Sequence, residues 1–293
     1  MLSVLIPTYN DACFSLVRTL REQLLAMLEE WEIIVADDCS TSQAVRDENA
    51  QIASLSGCRI EWQQKNIGRA AIRNYLAQVA KGDWLLFIDS DMVVNRGSFI
   101  ADYLKSIQGK ADCVVYGGYE VNGDEHALHR NLRYVYEKKN AHKHTVEQRQ
   151  QQPYRDFHTS NFMVSRCVMQ QVPFNEAFKL YGFEDVLLGK ELQAAGIQIH
   201  HIDNPVSFEK YETNEDFLRK TEEAVQTQRE FHDLLADYSK LLQAAERIKR
   251  LHLSWLLHIG YKLLGSRLRK RLCFGTPNLH LFNLYKLLLI NEN

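Results

Sequence analysis

Trp84-Leu85-Leu86-Phe87-Ile88-Asp89-Ser90-Asp91 is an apolar run that ends abruptly in two carboxylates separated by one serine. The apolar part has the length and side-chain type of a buried strand. At a strand end alternate residues point the same way, so Asp89 and Asp91 project together. Either both face one cation, or one takes the cation and the other a sugar or ribose hydroxyl. Paired oxygen ligands suit a hard divalent ion such as Mg²⁺ or Mn²⁺ that also bridges a substrate diphosphate. The plainer reading is a solvated Asp-x-Asp turn.

Working outward, Leu2–Ile6, Glu32–Ala36, Arg59–Trp62 and Asp112–Tyr116 read as further strands. Phe14–Leu28, Thr41–Leu55, Arg69–Val79 and Ser98–Ile107 have helical spacing between them. Such alternation predicts an α/β fold, a Rossmann-like, doubly wound, mainly parallel sheet. Sheets of this kind bind ligands outside the carboxyl ends of their strands, where the polar motifs fall. The stretch from Glu120 to Arg155 is polar and reads as a long helix with a loop over the site. Asn214–Arg247 reads as one or two amphipathic helices opening on Thr213 as a cap. The expected division is residues 1–212 as the α/β domain and 213–293 as a helical C-terminal extension.

Composition removes several function classes. The net charge of −2 gives no field for a polyanion, so no nucleic acid is expected. The six cysteines, at 13, 39, 58, 113, 167 and 273, include no C-x-x-C pair, which argues against a zinc ribbon or a dithiol motif. Scattered thiols in a chain this long point to a reducing compartment. No signal peptide is visible, and no stretch reaches the length of a spanning helix.

Three more clusters carry chemistry. Asp37-Asp38-Cys39-Ser40-Thr41 follows the second strand. An acidic residue there accepts hydrogen bonds from a nucleotide base or ribose, with Asp37 the candidate, while Asp38 or Ser40 serves as an ordinary helix cap. In Asn66-Ile67-Gly68-Arg69-Ala70-Ala71-Ile72-Arg73-Asn74, Gly68 permits close backbone approach before a helix whose start favours an anion. Arg69 and Arg73 share one helical face, ready for a diphosphate or for surface salt bridges. Tyr181-Gly182-Phe183-Glu184-Asp185 opens a helix. Its carboxylates read as dipole-complementing caps or as a general base whose pKa apolar surroundings raise.

Ile6-Pro7-Thr8-Tyr9-Asn10, Asp37-Asp38, Asn66–Asn74, Asp89-Ser90-Asp91 and Gly182-Phe183-Glu184-Asp185 occur in that order. The ordered set, over about residues 1–220, resembles the family-2 glycosyltransferases of the GT-A fold. The resemblance implies an enzyme that transfers a sugar from a nucleotide-sugar, a UDP-sugar first, to a glycan or glycolipid hydroxyl. It implies inversion at the anomeric carbon, Mn²⁺ or Mg²⁺ as cofactor, and work in cell-surface polysaccharide synthesis. Pro7, Thr8, Tyr9 and Asn10 then line the nucleotide pocket with Asn66, Gly68 and Ser90, and Asp37 binds the base. Arg73 lies near the diphosphate or sugar, Asp89 contacts ribose, donor sugar or metal, and Asp91 binds the metal. Asp185 is the base that deprotonates the acceptor, which Glu184 holds. The segment His158-Thr159-Ser160-Asn161-Phe162 carries a donor-facing strand.

The pattern departs at Phe208, where relatives place a metal-completing histidine; His200 and His201 are the substitutes at hand. A nucleotidyltransferase would want a glycine-rich phosphate loop, which Pro7–Asp11 lacks. The other reading is a catalytically degenerate domain that serves as a membrane-associated assembly partner. From Arg247 to Arg271 there is no Asp or Glu, and Trp255 and several leucines interleave with Lys and Arg. Such a helix suits an anionic membrane surface, or else packs on the domain or in a homodimer. The expected location is the cytoplasm, peripheral on the inner face of the membrane through 247–271.

Overall fold

The structure is a computed structural model that describes residues 1–291. Its strands are β1 (Leu2–Thr8), β2 (Trp31–Asp37), β3 (Cys58–Trp62), β4 (Trp84–Ile88), β5 (Met92–Val93), β6 (Val114–Tyr116), β7 (Tyr119–Glu120), β8 (Asn161–Ser165), β9 (Ile199–His201) and β10 (Val206–Phe208). Helices α1 (Phe14–Leu25), α2 (Gln43–Ala50), α3 (Arg69–Val79) and α4 (Phe99–Ser106) alternate with the early strands. The main sheet has the order β3-β2-β1-β4-β8-β6-β9, and a small second sheet runs β5-β10-β7. Strands β1 to β4 are mutually parallel where they pair, and β8 runs antiparallel between β4 and β6. The expected α/β sheet is therefore present, mainly parallel, with one reversed strand that the apolar pattern does not reveal.

Alternation along each strand builds two cores. Val4, Ile6, Ile33, Val35, Leu86 and Ile88 pack on one face with Leu20 and Leu24 of α1 and Phe99 and Tyr103 of α4. Leu5, Ile34, Ala36, Leu85 and Phe87 pack on the other with Ile72 and Leu76 of α3 and with Leu188 and Leu192. Phe87 stacks on Phe162 of the neighbouring strand at 4.9 Å between ring centroids. Each such buried side chain contributes about 1.5–3 kcal/mol, so β4 is held rigidly from both faces up to the point where its carboxylates begin.

The chain forms two compact units. The first comprises residues 1–120, 142–179 and 184–210, and carries both sheets. The second comprises 121–141, 180–183 and 211–291 and is helical. The chain crosses between units several times instead of at one cut near residue 212. The 120–155 stretch is broken into short helices, Glu125–Leu128, Leu132–Asn140 and Val146–Gln151. In the second unit Asn214–Glu230 is capped by Thr213, whose hydroxyl accepts from the Asp216 N–H at 3.1 Å. The helices Lys240–Arg250, Ser254–Phe274 and Leu279–Leu289 complete it. No helix among the described residues is long and apolar enough to cross a membrane.

Candidate active site

Parallel pairing brings the polar motifs to one edge. Thr8 at the end of β1 stands beside Asp37 at the end of β2, which stands beside Trp62 at the end of β3. On the other side of β1, β4 runs out into Asp89. Antiparallel β8 starts where β4 ends, with Asn161 opposite Ile88 and the Asp89 N–H donating to the Ser160 carbonyl at 3.0 Å. The segment His158–Ser160 thereby arrives at the same edge.

The loop after β1 is braced to the loop after β2. Asn10, at φ +57°, a value that Asn tolerates better than most residues, receives the Thr41 and Ser42 N–H groups on its side-chain oxygen at 2.8 and 3.0 Å. Its own N–H donates to the Ser40 hydroxyl. The Thr8 hydroxyl donates to the Asp11 carbonyl, and Tyr9 between them is exposed. Asp37 is fully buried: Oδ1 accepts from the Ser40 N–H at 2.6 Å, whereas Oδ2 has no partner. Asp38 does a different job. Its two oxygens accept from the Ile67 and Gly68 N–H groups at 2.7 and 2.9 Å, which fixes the Asn66–Gly68 loop against β2. Gly68 adopts φ +90°, a conformation that a side chain would strain.

The two arginines of α3 point into carboxylates. Arg73 is 1% exposed, and its Nη2 donates to Asp89 Oδ1 at 2.5 Å while Nη1 lies 3.7 Å from Glu184 Oε1. Arg69 donates through Nε to Glu184 Oε1 at 2.6 Å and approaches Asp89 Oδ2 at 3.8 Å. Two guanidinium groups thus clamp two carboxylates from distant parts of the chain. Of the two readings the spacing allows, a diphosphate or salt bridges, the arginines make the salt bridges here, and Glu184, expected to hold the acceptor, is one of the partners. Burial without neutralisation would be costly for Arg73 and Glu184, which the partly buried Asp89 and the half-exposed Arg69 help to neutralise. Asp89 likewise spends its charge on the arginines.

Asp185 follows Glu184 at the start of the helix Glu184–Ala194. Its Oδ2 accepts from His158 Nδ1 at 2.9 Å and its Oδ1 from the Val186 N–H at 2.8 Å. The expectation of a raised pKa is not met. Burial pushes the carboxyl up, but the hydrogen bond and charge of His158, the Val186 N–H and the Arg69 charge outweigh it and hold the group below the usual aspartate range. The motif did not single out His158 in this capacity, because nothing in its local spacing points 27 residues ahead.

The histidine substitutes fail on geometry. His201 sits in β9 at the edge of the main sheet, its Nε2 2.9 Å from the Pro153 carbonyl and its Nδ1 3.2 Å from Arg149. Both ring nitrogens are occupied, and burial pulls its pKa down to about 4. His200 alternates with it on the same edge strand. Phe208, in contrast, is opposite Met92 in the small sheet, and the Glu209 N–H donates to the Asp91 carbonyl at 3.0 Å. Among the described residues no three His, Cys, Asp or Glu side chains converge to hold a metal. A divalent ion that arrives with a diphosphate needs only one or two carboxylates from the protein. The hard oxygen donor of Asp91 fits that case.

Known proteins are similar to this chain in sequence and in fold. GlyG, a glycosyltransferase of Streptococcus pneumoniae, is 31% identical over 125 residues, 43% of this chain and 40% of its own length. TarS of Staphylococcus aureus, a poly(ribitol-phosphate) β-N-acetylglucosaminyltransferase, is 32% identical over 98 residues, 32% of this chain and 17% of its own length. The matched stretches thus span well under half of these relatives. The fold extends further: a solved structure of TarS residues 1–349 superposes with a TM-score of 0.52 at 18% identity, covering 99% of this chain and 89% of that one. The mannosyltransferase PcManGT of Pyrobaculum calidifontis, solved with GDP-Man and Mn²⁺, gives 0.55 at 15% identity, covering 99% and 85%. Residues 3–174 match the family model of glycosyl transferase family 2, more than half of the chain, and the chain belongs to that family.

Proposed function

We propose that this chain transfers a sugar from a nucleotide-sugar to a hydroxyl of a glycan or glycolipid acceptor, with inversion, in cell-surface polysaccharide synthesis. The observation that carries the reading is the double arginine clamp. Arg69 and Arg73 tie Asp89, beside the metal-facing Asp91, to Glu184, beside the candidate base Asp185. The clamp supports a reading in which donor and acceptor chemistry share one site. TarS has been solved with UDP-GlcNAc, which supports a uridine donor, and PcManGT with Mn²⁺, which supports a divalent cofactor.

Each residue then has a part. The free Oδ2 of Asp37 is an acceptor waiting for an N–H of the base. Tyr9, Thr8, Pro7 and Asn10 form the wall around it, with Asn66, Gly68 and Ser90. Arg73 and Arg69 hold Asp89 and Glu184 in register, so Glu184 acts on the site through the clamp. Asp91 would hold a divalent cation, Mn²⁺ or Mg²⁺, which when bound supplies positive charge to the leaving diphosphate. Asp185 takes the acceptor proton as the hydroxyl oxygen bonds to the anomeric carbon. The glycosyl–phosphate bond breaks on the opposite side, and its electron pair leaves with the nucleoside diphosphate.

The basic, acid-free tail is read as a peripheral contact with an anionic membrane, where a glycolipid acceptor would be met. The presence of Phe208, and the lack of a three-residue metal cluster among the described residues, favour one second reading, a non-catalytic assembly partner. Screening UDP-glucose, UDP-galactose, UDP-GlcNAc and GDP-mannose for Mn²⁺-dependent turnover separates the two. Turnover abolished by Asp185→Asn supports the enzyme; none by the wild type supports the partner.

A further inference from the structure

Asp185 is fastened at two points, and one of them is a side chain from a distant segment. Val186 contributes its backbone N–H to Oδ1, as any residue there would, but the His158 ring reaches Oδ2 from the loop that leads into β8. An ionised carboxylate only accepts, so His158 Nδ1 carries the proton it shares. The ring is itself rigidly carried. Phe157 before it is fully buried, edge-on to Tyr116 and Phe162 at 5.4 Å each. Thr159 and Ser160 after it are buried, and Asn161 is locked by hydrogen bonds to the carbonyls of Gly118 and Asn204 and from the Tyr103 hydroxyl.

Around the ring stand Tyr116 at 6.4 Å, Tyr119 at 5.8 Å and His144 at 6.0 Å between centroids. His144 is hydrogen-bonded to the Tyr119 hydroxyl at 2.8 Å, and burial holds its pKa down at about 3, so it stays neutral. Arg69 faces Asp185, and Arg149, His201, Lys143, His142 and Asp156 are further charged or titratable groups of the neighbourhood. Asp185 is thus an anionic centre in direct contact with His158.

We infer that His158 is a positioning residue for the transfer reaction: its imidazole fixes the plane of the Asp185 carboxylate so that the remaining lone pairs point at the acceptor hydroxyl. This rests on the reading of Asp185 as the base. A carboxylate pinned at both oxygens loses little entropy on reaching attack geometry. Hydrogen bonding to the charged form also keeps Asp185 ionised and able to accept a proton to lower pH. If the contact were only a helix-end brace, its loss would cost stability and raise the Asp185 midpoint all the same, but would leave turnover well above that midpoint unchanged.

The test uses the full chain with ¹³C-labelled aspartate, the Asp185 carboxyl signal being the one lost in Asp185→Asn. In His158→Leu the midpoint of that signal is expected to move up by about one pH unit or more, a tenfold change in acidity. His158→Asn, whose amide nitrogen replaces Nδ1, is expected to keep most of the wild-type midpoint. The acid limb of turnover, for any sugar nucleotide of the panel above that the wild type consumes, should follow the same order. An unmoved midpoint in His158→Leu, an equal displacement in both variants, or wild-type turnover by His158→Leu well above its midpoint overturns the inference. Undiminished turnover by Asp185→Asn instead overturns the base reading, and the inference with it, whatever the titration shows.

Discussion

Arg73 Nη2 lies 2.5 Å from Asp89 Oδ1, with the arginine side chain 2% exposed and the aspartate 17%. A guanidinium so placed belongs to the wall of the site. Its Nε has no hydrogen-bond partner, so the wall is anchored at the far end of the group. Replacing it with Met leaves Asp89 and Glu184 buried beside one half-exposed arginine. Breaking a buried ion pair from one side typically costs about 3–5 kcal/mol. Arg73→Met is therefore expected to lower the urea midpoint strongly, and Arg73→Lys to recover part of the loss. Arg69→Met, at a side chain 41% exposed, should cost much less.

Asp91 and Asp185 are expected to fail in separable ways. If Asp91 meets the cation and Asp185 the acceptor, a nucleoside diphosphate with Mn²⁺ should raise the melting temperature of the wild type. The shift should survive in Asp185→Asn and vanish in Asp91→Ala. Turnover should disappear in both. Equal loss of the thermal shift in the two variants would show that they do not divide the work in this way.

Asp37 carries the base-recognition proposal through one orphaned oxygen. A charge-assisted hydrogen bond contributes roughly 1.5–3 kcal/mol, or about ten- to a hundredfold in affinity. Asp37→Ala should weaken UDP by that factor in calorimetry. A nucleotide methylated at the N–H that the oxygen meets should bind the wild type as poorly as UDP binds the variant. If the methylated nucleotide binds the wild type as well as UDP, Asp37 is part of the core alone.

The strands around Asp89 were legible because apolar runs and turn residues act locally. Leu2–Ile6 and Trp84–Ile88 declare themselves by their own side chains. The helix Arg69–Val79 was equally plain, since its apolar and charged positions repeat at helical spacing. What escaped was the partnership between distant segments. Whether Arg73 faces a phosphate or a carboxylate depends on Glu184, 111 positions later in the chain, and spacing within α3 says nothing of it. The same holds for β8, whose reversed direction is set by the return of the chain from 120–155. It holds also for His201, whose two nitrogens are consumed by Pro153 and Arg149.

At the opposite end of the sheet from the carboxyl edge, Glu32 supplies stability and no chemistry. It accepts from the Ser3 hydroxyl at 2.7 Å, from the Lys81 N–H at 2.6 Å and from Arg59. Burial pushes its carboxyl up, but these donors outweigh burial and hold its pKa below the ordinary 4.5. A depressed folded-state pKa stabilises above the unfolded value and loses that contribution as pH falls through the folded one. Glu32→Gln should thus cost about 1–3 kcal/mol at pH 7. The gap between variant and wild type should narrow steadily below about pH 4.5 in urea titrations. A gap that stays constant with pH would mean that the ionised form is not what the donors hold.

The helix Ser254–Phe274 exposes apolar side chains that a water-facing surface would not choose. Trp255 is 57% exposed, Ile259 45% and Leu263 65%. Steps of four keep these three on one side of the helix, and the next step reaches Arg267, with Lys270 close by on the same side. Arg247, Lys249 and Arg250, at the end of the preceding helix, add charge, and from Arg247 to Asn291 there is no Asp or Glu to oppose it. A basic residue near an anionic leaflet contributes about 1 kcal/mol, and the aromatic ring prefers the headgroup level. The full chain should therefore sediment with vesicles of phosphatidylcholine and phosphatidylglycerol, with a blue shift of Trp255 fluorescence, and leave pure phosphatidylcholine vesicles largely unbound. Replacing Arg267 and Lys270 with Gln should weaken binding and reduce its dependence on salt. Replacing Ile259 and Leu263 with Ser should weaken it at every salt concentration. If instead the wild type ignores both kinds of vesicle and runs as a dimer that the Ser variants dissociate, the apolar side of this helix belongs to a second copy of the chain.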